Sequence, residues 1–162
     1  GLGVGGNDAE AVLRALPTLP LRYAAADRSA RRLAEWAARQ TPFAQVLHPA
    51  LPASLGHAHW QAVCGAADAA GQGAAASLFS VVIDEKFSRE QVDAFCDALR
   101  LFRIGYSWGG PFSLVMPYEL QTMRHDWPAH LARGTLVRFA IGLEDTADLQ
   151  GDLQHAMQQT LA

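Results

Sequence analysis

The chain has 162 residues, of which 50% are hydrophobic and 18% charged, with a formal net charge of −3. That length suits one domain with a real core, and the balance is that of an ordinary soluble α/β protein rather than a disordered chain. The 13 basic residues are scattered, which leaves no nucleic-acid footprint, and no apolar run approaches the roughly 18 residues of a membrane span.

Cys64 and Cys96 form no disulfide framework and point to a reducing, cytoplasmic compartment. The opening Gly1-Leu2-Gly3-Val4-Gly5-Gly6-Asn7 has no initiator methionine and no signal sequence, and reads as the start of a piece of a longer protein.

Asn7 or Asp8 is the expected cap of a first helix ending near Leu16, where Pro17 and Pro20 interrupt it. A long helix is predicted from Leu19 to Arg39, with Leu21, Ala25, Leu33, Trp36 and Ala37 as its apolar positions. A short strand over Phe43 to Leu47, a Pro/Ser/Gly loop from His48-Pro49 and a short helix near His57 to Cys64 follow. Residues 66–76 are almost pure Ala and Gly and read as a connector, although such sequence also suits a helix.

Ser77 to Ile83 is a buried-strand pattern. Ser88 with Gln91 three residues later is a capping box, opening a helix whose apolar face is Val92, Phe95, Cys96 and Leu99. Strands are predicted over Phe102 to Tyr106, Ser113 to Met116 and Thr135 to Ile141. A last helix from Thr146 to Leu161 turns Leu149, Leu153, Ala156 and Met157 inward. Strands alternating with helices imply a sheet covered by helices.

Arg138 is the sharpest single residue. It lies in Thr135-Leu136-Val137-Arg138-Phe139-Ala140-Ile141, where both alternating faces are mostly apolar, so the strand is expected to be buried on both sides. A guanidinium there needs an anion. A small carboxylate matches its planar fork, and a structural salt bridge to Glu144, Asp145 or another acid is the equally weighted alternative. Ser107-Trp108-Gly109-Gly110 follows a strand, and its paired glycines allow close backbone approach to a ligand; a tight turn with a packed Trp is the plainer possibility.

Lys86 is the one lysine; it follows Ile83-Asp84-Glu85 amid charges and reads as a solvated strand end rather than a Schiff-base nucleophile. His57-Ala58-His59 with Cys64 nearby suggests a metal, but no further ligands follow at zinc spacing, so no metal site is expected. His125, His130 and His155 read as loop and surface residues, and neither Ser107 nor the cysteines carry a His/Asp constellation.

Several strings together resemble the pyridoxal-phosphate (PLP) enzymes of cysteine and methionine metabolism. They are Arg14-Ala15-Leu16-Pro17-Thr18-Leu19, His48-Pro49-Ala50-Leu51-Pro52, Gly56-His57, Tyr106-Ser107-Trp108-Gly109-Gly110 and Gly142-Leu143-Glu144-Asp145, and the likeness runs from about Asp8 to Ala162. Ala15 stands where the family pattern has glycine, and Trp108 favours the branch that β-eliminates cystathionine.

The resemblance implies an α/β chain of the α+β kind. It would be the C-terminal small domain of the aspartate-aminotransferase fold type, with a mainly antiparallel sheet covered by helices and a long N-terminal helix. Residues 1–41 would be an interdomain helical segment and residues 42–162 the small domain. By the same likeness Arg138 binds the substrate α-carboxylate, and Ser107 orients the catalytic lysine and the carboxylate end. Trp108 lines the substrate entrance, and Tyr106 shapes the same wall.

The parent would be a homotetrameric PLP lyase turning cystathionine into homocysteine, pyruvate and ammonia. This chain alone would be inactive and bind no cofactor covalently, because its match begins after the lysine segment. A γ-synthase or γ-lyase is the alternative within the family, and a non-catalytic binding or oligomerisation module the alternative outside it. Loss of the large domain would expose apolar surface around Leu21, Tyr23, Leu33 and Trp36, from which self-association is expected.

Overall fold

The computed structural model describes residues 3–65 and 73–162. Helix α1 (Gly6–Ala15) has Gly5 at its N-cap and no side-chain cap; Asn7 and Asp8 lie inside its first turn, two and three positions past the cap. Asp8 there still places negative charge at the positive end of the helix. A single 3-10 turn (Leu16–Thr18) carrying Pro17 leads into α2 (Leu19–Ala37), whose Pro20 occupies the first turn, where no intrahelical N–H is lost. The prolines thus bend the path without separating the two helices.

Along α2 the buried side chains include Ala26, Ala30, Leu33, Ala34 and Ala37, a helical stripe of mostly small residues that lets the helix lie close on a sheet, with Asp27 and Trp36 also buried. Leu33 and Trp36, expected on an exposed face, are 0% and 8% exposed: the later turns of α2 sit on the core. Leu21 and Tyr23 precede that contact and stay exposed.

Five strands form one sheet in the order β1-β2-β5-β4-β3. They are β1 (Phe43–Leu47), β2 (Leu78–Asp84), β3 (Arg103–Ile104), β4 (Leu114–Tyr118) and β5 (Gly134–Ala140). All neighbours are antiparallel except β3 and β4. Residues alternate between the two faces. Phe79, Val81, Ile83, Val115, Val137 and Phe139 enter one core with α2, α4 (Arg89–Ala98) and α6 (Thr146–Thr160).

The opposite face carries Ser80, Met116, Tyr118, Leu136 and Arg138, which are half-buried, beside Val82 and Ala140, which are buried. Strand β5 is therefore only partly buried on its second side, where Leu136 and Arg138 stay half-buried, although its apolar pattern implied burial on both: the three long helices that pack on the sheet lie on one face. The remaining helices, α3 (His57–Cys64) and α5 (Leu120–Met123), are short. Of the predicted connector, residues 66–72 lie outside the described residues; residues 73–77 are non-helical, with Gly73 and Ala76 at φ 66° and 60°.

Side chains do much of the local steering. The Ser88–Gln91 capping box forms, with the Gln91 N–H donating to Ser88 Oγ and the Ser88 N–H donating to Gln91 Oε1. Asp145 caps α6 through the N–H groups of Ala147 and Asp148. Asp152, buried on α6, accepts the N–H groups of Arg100 and Leu101 at 3.0 and 2.9 Å, and so redirects the chain from α4 into β3.

His48 is 1% exposed, and its Nδ1 accepts the Ala50 N–H at 3.2 Å, which assigns the proton to Nε2. That Nε2 is buried with no partner among the described residues. Burial, reinforced by the nearby Arg31 charge against the weaker opposing effect of Asp27, lowers the His48 pKa from 6.5 to about 4. The unfolded chain then binds a proton that the folded chain refuses, so stability is complete above pH 6.5 and falls as the pH drops towards 4. Thermal melts across this window should show Tm falling, with a shallower slope for His48→Gln. Equal slopes would refute a neutral buried His48.

Candidate functional site

Strands β3 and β4 run parallel, yet only residues 105–113 join them, so the chain must double back within that loop. Gly109, at φ 75°, provides the left-handed conformation that the reversal needs. The loop projects Tyr106 and Trp108, 67% and 64% exposed, with exposed Ser107 between them. Trp108 is thus not the packed turn residue of the plainer possibility.

Arg138 reaches this loop from the open face of β5. One terminal nitrogen, Nη2, donates to the carbonyls of Tyr106 at 2.7 Å and of Gly105 and Ser107 at 3.3 Å. The guanidinium carbon lies 5.9 Å from the Trp108 ring centre and 5.8 Å from that of Tyr118, within cation–π range. Tyr118 in turn meets Tyr106 edge to face at 6.3 Å. The four residues singled out in the sequence, Tyr106, Ser107, Trp108 and Arg138, therefore meet in one place.

The alternative salt bridge does not form. Glu144 accepts from the Ser113 backbone N–H and Oγ, and Asp145 is occupied as a helix cap. Arg138 pairs with no carboxylate among the described residues, and its Nε is buried without an acceptor. An unmet buried donor costs about 1–3 kcal/mol. A guanidinium whose carbonyl contacts run through one nitrogen, with an idle Nε–H, is suited to an incoming carboxylate.

The other candidates stay apart from this site. Lys86 is exposed in the turn after β2, its Nζ 4.9 Å from the Phe87 ring. His57 bonds the Pro49 carbonyl through Nδ1 and packs on Trp60, and no group of metal-binding side chains occurs among the described residues. His125, His130 and His155 are exposed. No described helix is long and apolar enough to cross a membrane. A cleft of about 110 Å³ between α2 and the glycine turn, lined by Tyr23, Ala26, Gly109, Gly110 and Leu143, borders the site without including Arg138.

Tyr118 went unrecognised in the sequence. Its only signal is register: Met116 faces Arg138, so Tyr118, two residues on, is the diagonal neighbour on the same face. The Glu144–Ser113 contact was equally hidden, since it spans 31 residues.

Residues 1–158 match the family described as Cys/Met metabolism PLP-dependent enzyme. The chain belongs to that family. It is 38% identical over 143 residues to cystathionine β-lyase of Escherichia coli (strain K12), covering 86% of this chain and 34% of that protein. It is 31% identical over 157 residues to an L-alanine/L-glutamate racemase of Wolbachia pipientis wMel, covering 97% of this chain and 37% of the other. The methionine γ-lyase structure from Micromonospora echinospora superposes with a TM-score of 0.74 at 29% identity, over 95% of this chain and 37% of that one. The chain thus spans little more than a third of the length of these relatives.

The Cys/Met family's cofactor is PLP. Among the described residues nothing fits its aldehyde: a Schiff-base lysine must be desolvated or held beside the cofactor, and Lys86 is neither. What the cluster does offer is a guanidinium with no carboxylate partner among the described residues.

Proposed function

We propose that this chain is the C-terminal, substrate-recognising domain of a PLP-dependent carbon–sulfur lyase that β-eliminates cystathionine to homocysteine, pyruvate and ammonia. One observation carries the reading: Arg138, without a carboxylate partner, holds an idle buried Nε–H beside an exposed Ser-Trp turn. Likeness to the E. coli β-lyase supports the choice of substrate. Residues 1–41 form the interdomain helical segment and residues 42–162 the small domain.

In this reading the guanidinium of Arg138 takes the α-carboxylate and so sets the orientation of the amino acid. Ser107 Oγ, which makes no hydrogen bond among the described residues, is left to orient the lysine supplied by the rest of the protein and the carboxylate end. Trp108 lines the entrance and Tyr106 the wall beside it, both excluding water from the bound substrate. PLP supplies the electron sink for the charge left at Cα. The half-open sheet face that bears Arg138 is where the cofactor-carrying domain docks, in a cytoplasmic homotetramer.

The test is to supply the full-length, PLP-loaded protein with L-cystathionine and identify the keto acid. Pyruvate with homocysteine is expected; 2-oxobutyrate with cysteine would make it a γ-lyase, and racemisation of alanine without either would displace the lyase reading. The isolated 162-residue chain should form no keto acid and retain no PLP after borohydride reduction. Retention on Lys86 would overturn that part.

A further inference from the structure

The substrate loop is anchored at both ends, and Arg138 accounts for only its first leg. At the other leg Ser113 is completely buried. Its backbone N–H donates to Glu144 Oε1 at 2.7 Å, and its Oγ–H donates to Glu144 Oε2 at 2.8 Å. The same Oγ accepts the Gly142 N–H at 2.9 Å, and the Leu143 N–H donates to the Pro111 carbonyl at 2.9 Å. The loop's exit is thereby fastened to the β5–α6 junction through four hydrogen bonds, two of them strengthened by the charge of the carboxylate.

Gly142 makes the approach possible. A Cβ there would lie 2.4 Å from the Pro111 carbonyl oxygen and 2.5 Å from Glu144 Oε2, closer than real contacts permit. Glu144 forms no ion pair among the described residues, so its carboxylate serves this loop. Between the two anchors the chain carries Tyr106, Ser107 and Trp108 exposed to solvent, with no regular ladder of their own. A loop of that kind keeps its side chains in place only as well as its ends are held.

We propose that Glu144, acting through Ser113, is a positioning residue for substrate recognition: it fixes the exit of the 105–113 loop so that Ser107 and Trp108 face the guanidinium of Arg138. The proposal rests on the reading that Arg138 binds the substrate carboxylate. Glu144 itself touches no substrate. Its loss lets the turn drift from Arg138 and loosens the hold on the substrate.

Two readouts in the full-length, PLP-loaded protein test it. In hydrogen exchange followed by mass spectrometry, Glu144→Ala should accelerate the amides of residues 105–113 about tenfold while β2 and β5 keep their rates. The same variant should raise KM for the amino acid about tenfold with kcat little changed, the mark of lost ground-state binding. Glu144→Gln should restore most of both, because its amide still accepts the Ser113 N–H and can donate to Oγ. Unchanged loop exchange, or acceleration spread equally over β2 and β5, overturns the positioning role. Arg138→Lys separates the two ideas. If it raises KM and Glu144→Ala does not, the inference fails alone. If neither changes KM, the carboxylate reading fails, and loop exchange still decides whether Glu144 holds the turn.

Discussion

Arg138→Ala should lower kcat/KM of the full-length protein for the proposed amino-acid substrate by about 100-fold or more, the equivalent of losing two charge-assisted hydrogen bonds at about 1.5–3 kcal/mol each. The structure leads to this size of effect because the contacts around the guanidinium, three backbone carbonyls and two aromatic rings, carry no positive charge that could replace it. Removing it also frees the carbonyls of Gly105, Tyr106 and Ser107, so the turn loses its first anchor. Arg138→Lys retains charge but not the planar fork, and should recover only part of the loss. Steady-state kinetics on both variants, with circular dichroism to confirm folding, checks the prediction. Wild-type kcat/KM in Arg138→Ala would eliminate the carboxylate role.

The second large effect lies one residue away, on the opposite side of the same strand. Phe139→Ala should destabilise the protein by about 3–5 kcal/mol. Phe139 is 1% exposed on β5, at the centre of the strand order, stacks on Phe79 at 5.0 Å and meets Phe102 edge to face at 5.4 Å. Truncation leaves a cavity between the sheet and its helices that neither neighbour can fill without leaving its own packing. Against a total stability of about 5–15 kcal/mol this is a large fraction. Urea unfolding should show a lower midpoint at unchanged slope, with Phe139→Leu losing under about 1.5 kcal/mol. A midpoint shift no larger than that of Phe139→Leu would contradict the packing argument. Substrate recognition and folding thus depend on adjacent side chains of one strand, Arg138 facing the site and Phe139 the core.

Local signals in the sequence located most elements because their causes are local. The Ser88–Gln91 box begins α4 as expected, and the spacing of Leu149, Leu153, Ala156 and Met157 places the inner face of α6. Strand β1 follows its apolar run. Where the reading failed, the deciding contact is distant in sequence. The strand expected over Phe102 to Tyr106 shrinks to Arg103–Ile104, because the carbonyls of residues 105–107 turn to Arg138 instead of continuing a ladder. Leu33 and Trp36 are covered by the sheet, whereas Leu21 and Tyr23, on the same helix, are not.

The sequence by itself determined the family, the order of the strands and of every helix but the short α5, and the residue types of the site, since motifs, caps and periodicity are written in neighbouring positions. Tertiary structure alone decided that one sheet face stays open, that Arg138 bonds carbonyls while Glu144 takes Ser113, and that Tyr118 joins the cluster. Each of these depends on strand register and on contacts across about thirty residues. A guanidinium or a carboxylate in a sequence has many possible partners, and only the packed chain selects which one lies within hydrogen-bonding distance.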